Sequence, residues 1–196
     1  LRDFVIQRCL TQNPQYLREQ TTAEQLGVGR TALRQSFARL AGEGLLEHIP
    51  RCGWQVRAFS EAAMCDYLLV RELLELQALD LARAHFVEAE LQALLKANQP
   101  GRQKQAPSLA LDLHDYWIDR CGNSYIQDFF ARHGPFYNAL FNYAVLDRKV
   151  KATMAQEHRD ILNCLLAKDW RGARKALSVH IRDQQAAVTA AIVRLE

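Results

Sequence analysis

Apolar residues recur at helical spacing from the start of the chain. Phe4, Val5, Cys9 and Leu10 fall on one side of a helix over Asp3–Leu10, and Thr11-Gln-Asn-Pro-Gln predicts its break. Thr21 followed by Glu24 has the form of a capping box, so a short helix is expected from there to a stop at Gly27. Leu33, Phe37 and Leu40, at i, i+4 and i+7, predict a third helix from Arg30 to about Glu43, ended by Gly44. The period then changes. Leu45–Ile49 and Trp54–Phe59 are short β-prone runs around Pro50-Arg51-Cys52-Gly53 and read as a hairpin. From Ser60 onward the pattern is helical throughout, with helices expected at roughly 61–86, 88–98, 108–121, 124–145, 149–167 and 170–195. Pro135 is expected to kink or split the fourth of these.

These elements define a mainly α fold. A winged helix-turn-helix with a small β-hairpin wing is expected over residues 1–59, and an all-α six-helix bundle over 60–196. With 49% hydrophobic and 24% charged residues in 196, the chain has enough apolar material for a real core. Residues 1–58 carry eight Arg and no Lys against five acids, so the whole net charge of +3 lies in this first third. The rest is balanced. Arginine's planar fork suits phosphates and guanine edges. The five cysteines are scattered and odd in number, without a C-x-x-C pair. That argues against a disulfide framework or a thiolate zinc site and fits a reducing cytoplasm. No apolar run reaches the ~20 residues of a membrane span, and no signal peptide is expected. A cytoplasmic protein with no membrane partner follows.

The segment Ala23-Glu-Gln-Leu-Gly-Val-Gly-Arg-Thr-Ala-Leu-Arg-Gln-Ser-Phe-Ala-Arg-Leu carries the strongest functional pattern. Two helices around a Gly27–Gly29 turn match helix-turn-helix geometry, in which the second helix enters the major groove. With Leu33, Phe37 and Leu40 turned inward, Arg30, Thr31, Arg34 and Gln35 project outward as candidate DNA contacts. Arg51, with Cys52 beside Gly53, places a cation at the wing for the adjacent backbone or minor groove. The alternative is an ordinary amphipathic helix with solvated arginines.

The run from Thr22 to Leu46 and the wing Ile49-Pro-Arg-Cys-Gly-Trp-Gln-Val resemble the GntR family of bacterial regulators. The resemblance places Arg30, Thr31 and Arg34 on DNA-contacting positions and Gly53 on the wing glycine. Gly29 and Ala32 depart from that family's usual Ser and Pro. Val70-Arg-Glu-Leu-Leu-Glu-Leu, His114 with Gly122-Asn123 after it, Glu157-His158-Arg-Asp-Ile-Leu and His180 extend the resemblance. They resemble the FCD effector domain of the FadR-type branch, in its short VanR-like form.

In many such domains an Asp-x-x-x-His pair and two later histidines hold a divalent metal. The resemblance places His114, His158 and His180 on the histidine positions, with zinc or nickel as the implied ion. Ala110 stands where the carboxylate is expected, and Asp112 should point to another side of the helix. Three readings stay open: a three-His metal site completed by water or an effector carboxylate, an anion-binding pocket, or plain core histidines. Arg71 is a candidate partner for an acidic effector, or a partner of Glu75 at i+4. Asn123 is a second candidate effector residue, and Tyr67, Trp117 and Tyr143 are aromatics able to line a pocket or fill the core.

The reading is a homodimeric transcriptional regulator, a repressor rather than an enzyme. It binds double-stranded operator DNA and a small organic acid effector. A metal- and ligand-binding interaction module with a degenerate DNA head is the main alternative. A three-His metal hydrolase is a third, and it lacks a general base or nucleophile elbow in the sequence.

Overall fold

The computed structural model describes residues 1–10, 16–101, 105–144 and 147–193. The break expected at residues 11–15 and the helix ends expected at 145 and 195 lie outside them. Helix α1 (Arg2–Leu10), α2 (Glu19–Leu26) and α3 (Arg30–Gly42) precede the hairpin of β2 (Leu46–Ile49) and β3 (Gly53–Val56). A further strand, β1 (Tyr16–Leu17), pairs antiparallel with β3 and makes it the central strand of three. At two residues, β1 is too short to show an alternating pattern, so the sequence predicts only the hairpin.

Leu33, Phe37 and Leu40 are buried as the spacing requires, together with Val5, Ile6, Cys9 and Leu45. The rings of Phe37 and Trp54 lie 5.6 Å apart, tying α3 to the sheet. Helix α2 begins before the expected capping box. Its N-cap is Arg18, without a side-chain cap, and Thr22 and Ala23 are buried within the helix. The interior claims this turn, and Glu24 has no capping role.

Ser60 caps α4 (Glu61–Ala82) by accepting the Ala63 N–H at 3.2 Å, and one 3₁₀ turn, Arg83–His85, follows. Then come α5 (Glu88–Ala97), α6 (Leu113–Ile118), α7 (Ser124–Ala144), α8 (Arg148–Leu166) and α9 (Trp170–Val193). Helix α9 packs along α8, α4 and α7, and α6 packs against α4. Pro135 lies inside α7 without ending it.

The helix expected over 108–121 is reduced to the six residues of α6. Gln99 and Ser108 exchange both backbone hydrogen bonds, at 2.8 and 2.7 Å, and the Ser108 hydroxyl donates to the Ala97 carbonyl at 2.7 Å. These residues close the end of α5, and Pro107 has no N–H to give a helix.

Head and helical body touch directly. The Arg57 guanidinium lies 3.9 Å over the ring of Phe136 on α7, and Gln7 of α1 donates to the Tyr143 hydroxyl on α7 at 3.5 Å. Among the described residues no helix is long and apolar enough to cross a membrane.

Candidate functional site

The turn between α2 and α3 uses Gly27 in the left-handed region, φ 64°, a conformation that costs a β-carbon-bearing residue energy. From it α3 emerges with Arg30, Thr31, Arg34 and Gln35 all exposed, opposite its buried stripe. Arg34 is not free. Its Nε donates to both Glu19 oxygens at 3.0 Å and its Nη2 to Oε2 at 2.7 Å. The Trp54 indole donates to the same carboxylate at 3.3 Å. Hydrogen bonding from Arg34 holds the Glu19 carboxyl below its usual range. With 65% of its side chain exposed, Arg34 stays on the outer face, but its fork is filled by a carboxylate of the preceding helix.

At the wing tip Arg51 is exposed and left-handed at φ 67°, an uncommon state for a residue with a side chain. Gly53 has φ 109°, and a β-carbon there would stand 2.8 Å from the Leu17 carbonyl oxygen. Strand β1 can lie against β3 only because this position is glycine.

Inside the helical body, α6, α8 and α9 bring His114, His158 and His180 together, all buried. The His180 Nε2 stands 3.1 Å from the His114 Nε2 and 3.2 Å from the His158 Nε2. Each opposite nitrogen has an acceptor. His114 Nδ1 meets Glu75 Oε2 at 2.6 Å, His158 Nδ1 meets Asn98 Oδ1 at 3.0 Å, and His180 Nδ1 meets Glu157 Oε2 at 2.7 Å.

These partners fix the tautomers. Burial alone would raise the Glu75 carboxyl, but Arg71 and His114 hold it well below the usual carboxylate range, so it is an ionised acceptor. The Asn98 amide is oriented by donating to the Leu94 carbonyl at 2.8 Å and accepting the Ala110 N–H at 3.0 Å. Gln184 is oriented by Arg71 Nη1, which donates to its Oε1 at 2.5 Å. Its amide nitrogen then donates to His180 Nε2 at 3.1 Å. Burial, then neighbouring imidazoles, holds His158 and His180 well below the ordinary histidine range. Burial and Asp160 push the Glu157 carboxyl up to about 7.

The Nε2 atoms of His114 and His158 stand from the His180 Nε2 at about the separation that tetrahedral zinc requires, and an ion there would take the His180 lone pair that now accepts the Gln184 N–H. Zn–N bonds of about 2.0–2.1 Å put two such nitrogens ~3.3 Å apart. Outward Nδ1 partners are what orient imidazoles toward a metal. The donor set fits a divalent ion.

Two cavities of about 280 Å³ each open beside this centre. Both are lined by Arg71, Leu111, His114, Asp115 and Asn138, and the second also reaches His158 and Gln184. Arg71 is 3% exposed, and its Nε donates to Glu75 Oε1 at 2.5 Å. Both expected roles of Arg71 therefore coexist: it pairs with Glu75 at i+4 and it lines a cavity beside the histidines.

The model of the bacterial regulatory proteins of the gntR family matches residues 6–56, and that of the FCD domain matches residues 66–183. This chain is a gntR-family regulator carrying an FCD domain. An uncharacterized HTH-type transcriptional regulator in an unstable DNA locus of Streptomyces ambofaciens is 26% identical over 176 residues. That match covers 85% of this chain and 72% of the relative. A probable D-xylose utilization operon transcriptional repressor of Paenarthrobacter nicotinovorans is 26% identical over 171 residues, covering 84% and 75%. Among solved structures, E. coli McbR/YncC shares the fold with a TM-score of 0.62 at 19% identity, covering 96% of this chain and 95% of its own.

In this gntR-family regulator, position 110 lies ahead of α6, where the Ala110 N–H serves Asn98. Asp112 is exposed at the N-cap of α6. Neither position is one helical turn from His114. Asn123 is placed at the start of α7, where its Oδ1 accepts the Tyr125 and Ile126 N–H groups at 3.1 and 3.2 Å, and it is not among the residues lining the two cavities beside Arg71. Trp117 is core, its indole donating to Glu75 at 3.3 Å. Tyr143 sits near α1, its hydroxyl accepting from Gln7 at 3.5 Å. Sequence reasoning assigned no site role to Asn98, Glu157 or Gln184, and named Glu75 only as a partner of Arg71. Gln184 stands four residues after His180 and Glu157 adjoins His158, but neither spacing by itself marks a partner.

Proposed function

We propose that this regulator is a sequence-specific repressor controlled by a small organic acid bound beside a divalent metal, zinc or nickel. Residues 1–59 form the DNA-binding head, which meets operator duplex through Arg30, Thr31, Arg34 and Gln35 of α3 and through Arg51 and Gly53 of the wing. Residues 60–196 form the effector domain, in which His114, His158 and His180 hold the metal. The protein works as a cytoplasmic homodimer whose two heads meet operator half-sites, and it is not an enzyme.

One observation carries the effector reading: three imidazole Nε2 atoms converge beside a buried arginine on the wall of a cavity. The metal would supply Lewis acidity toward a carboxylate. Arg71 presents its guanidinium to the same carboxylate, and Glu75 fixes the orientation of both Arg71 and His114. Gln184 links Arg71 to His180. An effector that favours one placement of the heads over the other shifts DNA affinity by that difference. The name of the Paenarthrobacter relative supports the sign of control.

Duplexes selected from a random library by the purified protein, tested by gel shift, decide the DNA role. Arg30→Ala should cost about 1–3 kcal/mol of binding for a bidentate base contact. Unchanged affinity favours the interaction-module alternative. Elemental analysis with native mass spectrometry should report one divalent ion per chain, lost in His158→Ala. Divalent-ion affinity unaltered in that variant removes the metal from the proposal.

A further inference from the structure

The charge around the two cavities beside Arg71 is lopsided. Asp112, Asp115 and Asp119 follow at spacings of three and four along α6 and its ends, and each lines one or both cavities. Among the described residues none of their carboxylates has a hydrogen bond or ion pair, although His114 and Arg71 attract Asp115 at longer range. Among the described residues, the one arginine or lysine that lines these cavities is Arg71, already engaged by Glu75. All three are exposed at the cavity mouths, and a ligand carrying a second carboxylate would bring it against these anions.

A second observation comes from Tyr67. It is 6% exposed and lines the same cavity as Asp115 and Asp119, yet its hydroxyl has no hydrogen-bond partner. Its ring is stacked on Tyr137 at 3.9 Å and on Phe129 at 6.0 Å, so the hydroxyl cannot swing away. Gly134 lines the same cavity, and a β-carbon there would stand in ordinary contact with that oxygen, at 3.9 Å. A buried hydroxyl stripped of water and left unpaired marks where a ligand's polar group belongs.

We infer that the effector is amphoteric, an amino-acid-like molecule. Its carboxylate faces Arg71 and the histidines, and its protonated amine donates to Asp115, Asp119 and the Tyr67 hydroxyl. This rests on the reading of the cavity as an acid-binding effector site and names the second half of the ligand. An ammonium group supplies three donors, enough for two carboxylates and one phenol oxygen.

The test uses the full chain with zinc and pairs of probes differing only in the amine: 4-aminobutyrate with butyrate, 6-aminohexanoate with hexanoate, and L-glutamate with glutarate. Binding is read by calorimetry. At least one amine-bearing member should bind at least about tenfold tighter than its partner, as a charge-assisted hydrogen bond implies. Asp115→Asn with Asp119→Asn should erase that difference, and Tyr67→Phe, which keeps the ring stack, should weaken the amine-bearing member alone. Equal or tighter binding of the plain acids, lost in Arg71→Ala, overturns the inference and leaves the acid-binding reading standing. A preference for the amine that survives the double variant also overturns it. No binding in any pair overturns both.

Discussion

Glu75 accepts the Nδ1–H of His114 at 2.6 Å from a position with no solvent exposure. The other oxygen of the same carboxylate holds Arg71 at 2.5 Å. One buried anion therefore orients the His114 imidazole and balances the charge of Arg71.

Glu75→Ala should be severe. It strands a fully buried guanidinium, which costs about 3–5 kcal/mol. Urea unfolding of the variant measures this, and a loss below ~1 kcal/mol contradicts the assignment. Glu75→Gln keeps an acceptor. It should fold better than the alanine variant while losing about 10–100-fold in zinc affinity, because the orientation of His114 is no longer enforced.

Metal-free protein should weaken on mild acidification. His158 and His180 are held well below the ordinary histidine range by burial and neighbouring charge. In the unfolded chain they titrate near about 6.5, so the unfolded state takes up protons first. The stability they contribute is complete above that pH and declines as pH falls below it. Melting temperature followed from pH 7.5 to 5 in chelator should drop in the lower half of the range. A flat profile rules out neutral buried imidazoles.

Gly53→Ala should damage the head specifically. The left-handed backbone and the 2.8 Å approach to the Leu17 carbonyl leave no room for a methyl group, and a strained residue costs about 1–3 kcal/mol. Hydrogen exchange should show β1 detaching from β3 while α8 and α9 keep their protection. Equal loosening of both regions counts against this picture.

Glu19→Gln tests how Arg34 is used. Neutralising the carboxylate frees a fork that is now filled on both sides. If Glu19 competes with DNA for Arg34, the variant binds duplex more tightly and its affinity falls more steeply with salt. If Glu19 instead aims Arg34 at a base, tight binding persists but discrimination between sequences falls. An identical gel-shift profile removes Arg34 from the contact set.

The helices of the head were legible because Leu33, Phe37 and Leu40 must all reach one core, and that need writes a period into the sequence. Strand β1 was not legible, since two residues hold no period and their place is set by β3. The short α6 escaped for a similar reason: backbone pairing between Gln99 and Ser108 outweighs local helical preference. The three histidines were marked by spacing and resemblance. Their partners were not, because Glu75, Asn98, Glu157 and Gln184 come from separate helices and from the end of α5, and meet only after packing.

Arg57 follows the last residue of β3 and rests on Phe136, and Phe136 follows Pro135 and Gly134 on the wall of the cavity beside Tyr67. The root of the wing and the lining of this cavity thus share a single turn of α7. In the proposed effector reading, an occupant that displaced that turn would move the seat of the guanidinium, so occupancy would reach the head across one ring rather than through the length of the bundle.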